Sequence, residues 1–174
     1  MDATDKPSAK APTAPRLGRY AISTDRSSIT FTSRHLFGLL PVRGTFTIGS
    51  GTVDVAEPLS ESRMRVEVEA ASFSTGNDRR DADVRSVKFL DTDQHPLITF
   101  VADRVDATSV SGTLTACGIS RPASLSVVHA EIRTTSFTVR ATTRVDRTAF
   151  GVTAARGLAG RYLDLALDVT CVLA

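Results

Sequence analysis

Six charged side chains crowd the eight positions from Asp78 to Arg85: Asp78, Arg79, Arg80, Asp81, Asp83 and Arg85. Arginine meets phosphate oxygens with paired N–H donors. Arg79 and Arg80 are therefore head-group candidates, able to meet a diphosphate if their helix sits at the mouth of a pocket. The plainer reading, which the charge pattern favours, is an exposed helix laced with ion pairs. The three histidines, His35, His95 and His129, show no metal-ligand spacing. His129 and Glu131 share one face of a strand, so a ligand pair is conceivable, against the plainer alternative of a solvated strand end. His95 precedes Pro96 and belongs to a turn. No Gly-x-Ser-x-Gly elbow presents a nucleophile. Gly49-Ser50-Gly51 lacks a third glycine and opens no helix, so it forms neither a phosphate loop nor a dinucleotide fingerprint. Arg147, close to Phe150, is expected to order the last loop. No catalytic residue, metal or cofactor is assigned.

Composition narrows the classes further. The 174 residues suffice for one domain with a sizeable core. Lys plus Arg is 21 and Asp plus Glu is 19, a net charge of +2. That balance argues against nucleic acid as a partner. No apolar run approaches the roughly 20 residues that span a bilayer. Met1 to Pro15 is rich in Ala, Pro, Ser, Thr and Lys and lacks an apolar leader core. Residues 1–17 are expected to form a disordered tail, of which Met1 to Pro15 packs against nothing, and 18–174 the folded domain. The default compartment is then the cytoplasm. Cys117 and Cys171 make a poor disulfide framework and read as buried small apolar side chains or inert thiols.

Around the charged cluster the chain alternates with period two, the mark of half-buried strands. Tyr20 to Ser33 places Ile29 and Phe31 on one face. His35 to Pro41 is an apolar crossover. Arg43 to Val55 holds two arms about Gly49-Ser50-Gly51, as a hairpin or a bulge. In Glu61 to Ala70, Met64, Val66, Val68 and Ala70 oppose Arg63, Arg65, Glu67 and Glu69. Leu97–Val105, Ser109–Ala116, Ala123–Glu131, Thr135–Val145 and Arg161–Leu173 continue the pattern, with Ala149–Gly160 an irregular loop. The period changes only between Asn77 and Ser86, where a short helix is expected. Thr75 or Asn77 would cap it, and Asp81 and Arg85 would pair across one turn.

About eight strands with one polar face each cannot form a parallel sheet covered by helices. An antiparallel sandwich or a closed barrel remains. An eight-stranded barrel is just wide enough to be filled by its own side chains or to hold one small ligand. The candidate inward positions Ala70, Ala102, Gly112, Ala116 and Ala141 are small, and there is no Trp. An apolar space lined by Phe46, Met64, Val66, Phe100, Leu114, Phe137, Val139 and Leu165 would suit an apolar ligand. Pattern alone leaves a hollow interior and an ordinary dry core equally open.

An ordered set of motifs decides between them. Thr75-Gly76-Asn77, Arg80-Asp81, Val84-Arg85-Ser86, Phe89, Asp91, His95-Pro96 and Thr99-Phe100 resemble the signature of the YceI-like, polyisoprenoid-binding family. Further pieces match in order: Ile29-Thr30-Phe31, His35-Leu36-Phe37-Gly38, Gly44-Thr45-Phe46, Gly112-Thr113-Leu114-Thr115, Gly118-Ile119-Ser120-Arg121-Pro122, Asp146-Arg147 and Phe150-Gly151-Val152. The resemblance runs from about Tyr20 to Leu173. It implies an all-β, antiparallel, eight-stranded lipocalin-like barrel with one short inserted helix. It also implies non-catalytic binding of a long isoprenoid or similar amphiphilic lipid, for transport, storage or sensing. With it, Phe31, His35, Phe37, Val68, Leu125 and Phe150 join the candidate ligand-binding set. Transient membrane contact and a homodimer complete the expected partners. The rivals are an enzyme of unknown reaction using His35 or the Asp/Arg cluster at the pocket mouth, and an interaction module with a solid core.

Overall fold

The computed structural model describes residues 12–174. Nine strands form one antiparallel sheet: β1 (Gly18–Ile22), β2 (Ser28–His35), β3 (Leu40–Val55), β4 (Arg63–Ser74), β5 (Leu97–Val105), β6 (Ser109–Ala116), β7 (Ile119–Ile132), β8 (Ser136–Asp146) and β9 (Tyr162–Leu173). They fill eight staves. β1 and β2 both pair with β3 on one side and β9 on the other, so they share one stave, interrupted by a 3-10 turn at Thr24–Arg26. Each later strand pairs with the next, and β9 returns to the first stave. The sheet closes, and among the described residues no strand edge is left to recruit another chain.

Alternation turns one face of each stave inward. On β4, Met64, Val66 and Val68 point into the barrel, and Arg65 and Glu67 pair across the outer surface at 3.0 Å. The stretch around Gly49-Ser50-Gly51 is a bulge inside one 16-residue strand, not a hairpin. Its register shifts between Thr45 and Thr47 and again between Ile48 and Ser50 bend β3, so that one strand can pair with both β2 and β4.

The helix α1 (Asp78–Arg85) lies where the period breaks. Asn77 caps it, its side-chain oxygen accepting from the Arg80 N–H at 2.9 Å. Asp81 does not pair with Arg85. It is only 4% exposed and accepts from the Thr75 N–H at 3.0 and 3.1 Å and from the Thr75 hydroxyl at 2.6 Å. Arg85 turns to the Phe73 carbonyl at 2.7 Å instead. Those bonds fasten a helix with almost no apolar face to the end of β4.

Residues 1–11 of the expected tail lie outside the described residues. Residues 12–17 form no helix or strand, but they do touch the barrel. Thr13, Ala14 and Pro15 border its interior, and the Arg16 carbonyl accepts from the Tyr20 hydroxyl at 2.9 Å. No helix among the described residues is long and apolar enough to cross a membrane.

Candidate functional site

The barrel is hollow. A cavity of about 400 Å³ runs along its axis. This lies within the range of about 300–1,000 Å³ usual for small-molecule sites. Phe46, Met64, Val66, Val68, Phe100 and Leu114 line it from β3 to β6, Leu125, Phe137, Val139 and Leu165 from β7 to β9, and Phe150 from the 3-10 turn after β8. Thiols apart, the only polar side chains on its wall among the described residues are Thr13, Ser62, Asp106, Thr143 and Arg147. Ser62 is spent on the Ala56 N–H at 3.0 Å. Such a wall offers water few partners and rewards apolar surface instead.

Five candidates from the sequence lie off this wall. Phe31 is buried behind it, stacked on Phe73 with ring centroids 5.1 Å apart and tilted against Phe46 at 5.6 Å. Gly44 makes that stack feasible, because a Cβ there would clash with the Phe31 ring. His35 is half-buried at the end of β2, where burial and then the charges of Arg80 and Arg147 push its pKa down. Phe37 is 81% exposed in the turn after β2. Arg79 and Arg80 sit on α1 outside the cavity, and Arg80 donates to the Thr75 hydroxyl at 3.3 Å.

The small inward positions divide too. Ala116 and Ala141 line the cavity. Ala70, Ala102 and Gly112 do not, and at Gly112 backbone fills the space beside it. A bulge between Ala102 and Arg104 presses β5 against Gly112, where a Cβ would stand 2.6 Å from Ala102 Cα. A second bulge redirects β7. Ala123, Leu125 and Val127 face inward, then the register shifts between Val127 and His129, and Ala130 and Ile132 take over. His129 therefore turns outward, away from the cavity. No group of three or more His, Cys, Asp or Glu that could hold a metal occurs among the described residues.

The two ends of the cavity differ. One is bordered by Thr13–Pro15, Leu59, Asp106 and Ala107, several of them exposed. The other is closed by half-buried or buried Leu90, Cys117, Arg147, Phe150 and Val152. Arg147 orders the last loop, as the sequence suggests. It donates to the carbonyls of Gly160 at 2.8 Å, Val152 at 2.9 Å and Ala159 at 3.3 Å. Its guanidinium lies 5.7 Å from the centre of the Phe89 ring. Its place on the cavity wall has no sequence signal, because burial of an arginine depends on a loop brought from 5–13 residues away. Leu90 was likewise hidden in an aperiodic stretch. At the open end Cys171 is buried, which pushes its thiol up to about 12 and keeps it protonated and inert.

Asp146 anchors the start of the same turn. Arg161, at 2.8 Å, and then the Thr148 hydroxyl hold its pKa down at about 2. A carboxylate depressed on folding contributes stability above its unfolded pKa of about 3.9. That contribution disappears as pH falls through about 2. Asp146→Asn should therefore melt below the parent protein at neutral pH, and the gap should close by about pH 2. Parallel melting curves across that range check this, and a gap that persists in acid would contradict it.

Residues 20–171 match the family model described as a YceI-like domain. A UPF0312 protein from Pseudomonas syringae pv. syringae is 35% identical over 101 residues, covering 54% of this chain and 52% of its own. Protein YceI of Escherichia coli O157:H7 is 31% identical over 103 residues, covering 56% and 53%. The matches thus span about half the length of these curated relatives. Among solved structures, Burkholderia cenocepacia BcnA superposes with a TM-score of 0.76 at 18% identity, covering 86% of this chain and 98% of that one. A structure described as a polyisoprenoid binding domain from Saccharophagus degradans, implicated in plant cell wall breakdown, superposes with a TM-score of 0.72 at 15% identity, covering 91% and 100%. At these identities the likeness concerns the fold.

Proposed function

We propose, from the premise that the chain belongs to the YceI-like domain family, that it holds a long isoprenoid or similar amphiphilic lipid in its barrel and does no chemistry on it. Transport, storage or sensing of that lipid is the role that follows. The observation that carries this is the axial cavity of about 400 Å³ with its apolar wall. Each CH₂ buried there contributes about 0.8 kcal/mol. The polyisoprenoid binding described for the Saccharophagus domain of the same fold points the same way. An enzyme working at the pocket mouth has less support, since His35, Arg79 and Arg80 stand off the wall and Asp81 is committed to Thr75.

The direct experiment is to denature purified protein in organic solvent and identify what it releases by mass spectrometry. An isoprenoid or another long-chain lipid is expected. Empty extracts, together with failure of the purified protein to take up farnesol, would overturn the reading.

Transient membrane contact belongs to the same proposal, with a surface to support it. Leu36, Phe37, Leu39, Leu40 and Leu158 are exposed together in the turn after β2 and the loop packed on it, joined by N–H donation from Leu36 to Leu158 and from Phe37 to Gly157. Leu36 and Phe37 hold φ of 51° and 56°, a costly conformation that displays their side chains. Phe37→Asp should lower co-flotation with lipid vesicles without moving the melting temperature. The same tip is where a homodimer would form instead, and light scattering on parent and variant separates the two. A cytoplasmic location also remains part of this proposal.

A further inference from the structure

We infer that the cavity takes its amphiphile head first, with an anionic oxygen head group, carboxylate or phosphate, bound by Arg147 at the closed end. The inference rests on the cavity reading above and adds the ligand's polarity and direction to it.

Arg147 is 8% exposed and lines the cavity, yet it forms no ion pair among the described residues. The carboxylate next to it, Asp146, is bound to Arg161 at 2.8 Å. Guanidinium has five N–H donors. Three meet the carbonyls of Gly160, Val152 and Ala159, which leaves two. These carbonyls hold the fork in place but do not neutralise its charge. A buried cation without a counter-ion is costly, and an anion brought to it offsets that cost while gaining charge-assisted hydrogen bonds.

The surroundings strengthen the asymmetry. Arg80 and Arg147 both act on His35, Asp146 and then Arg156 act on Arg147, and Asp91 acts on Cys117, so three arginines face two carboxylates at this end, one of which, Asp146, is already bound to Arg161. From Arg147 to Arg161 the chain carries no acidic residue. At the open end the charged group on the wall is Asp106, an anion held by Thr108 and Ser109. An anionic head is therefore drawn inward and repelled at the mouth, while its apolar chain fills the tube between Leu90 and Leu59.

Two measurements test this. In the first, farnesyl monophosphate and farnesol compete for the purified, delipidated protein. The phosphate should bind at least about tenfold more tightly, and Arg147→Gln should erase that preference while farnesol still binds. In the second, the unmodified protein is loaded with stearic acid carrying a nitroxide either beside its carboxylate or near its methyl end. The carboxylate-side label should broaden amide resonances of Leu90 and Phe150, and the methyl-side label those of Leu59 and Ala107. This second measurement stands even if Arg147→Gln does not fold. Equal or tighter binding of farnesol, a preference kept in a folded Arg147→Gln, or the reverse broadening pattern would overturn the inference and leave the cavity reading intact. Failure of every probe to bind would take both down.

Discussion

Ala141→Phe should lose lipid uptake by about tenfold or more while the barrel keeps its melting temperature. Gly112→Phe should do the opposite and unfold readily. The two positions look alike in the sequence, each a small residue in an inward row. Ala141 lies on β8 between Val127 and Leu167 and faces the open cavity. A phenyl ring there enters unfilled space along the path a long chain must take. Gly112 has no such space. Its Cβ would meet Ala102 Cα at 2.6 Å and the Val101 carbonyl carbon at 2.8 Å, and strand backbone does not swing aside as a side chain can. Overpacking costs about 1–3 kcal/mol and occasionally more, and contact with backbone puts Gly112→Phe at the upper end. For a chain of this size each kcal/mol lowers the melting temperature by about 2–4 °C. Thermal melts and farnesol binding, run side by side, read both quantities. An unfolded Ala141→Phe would mean that the space beside it is not available, and a stable Gly112→Phe would mean that β5 and β6 can separate there.

The second large effect falls on stability. Arg147→Met keeps much of the apolar stem but removes the donors to Gly160, Val152 and Ala159. Each buried carbonyl left without a partner costs about 1–3 kcal/mol, less whatever the loop recovers by opening to water. A net loss of about 3 kcal/mol or more is expected, or roughly 6–12 °C in melting temperature. The loss should begin locally. The Val152 N–H donates to Arg147 at 3.2 Å and the Arg147 N–H to Arg161 at 3.0 Å, so both should lose protection against hydrogen exchange first. Arg147→Lys should recover only part of the stability, because an ammonium cannot reproduce the planar fork. A drop below about 1 kcal/mol in Arg147→Met would show that the loop is held by its own turns.

Much of the wall was legible before any coordinates. Met64, Val66 and Val68 alternate with Arg65 and Glu67, and a period of two says which residues share a face. The same holds for Leu163, Leu165, Leu167, Val169 and Cys171 on β9, all of which line the cavity. The aperiodic charged run placed the helix and narrowed its cap to Thr75 or Asn77, of which the structure uses Asn77. These features are local: they depend on neighbours within a few residues, and the chain carries them wherever it folds.

What the sequence left open depends on separations through space. Nothing in the residues around Val127 says that the register slips before His129, yet that slip exchanges the inward row and turns a conceivable ligand outward. Gly112 and Ala141 diverge because the bulge at Ala102 lies on a different strand. Phe31 belongs to the apolar face but is taken up by Phe73, some forty positions on, and never reaches the cavity. Arg79 and Arg80 looked suited to a head group, but their helix is fastened outside by Asp81, while Arg147 is drawn onto the wall by carbonyls of a distant loop. Periodicity determines a face along one strand. Which part of that face meets empty space is set by closure of the barrel, where strands remote in sequence come to within a few ångströms.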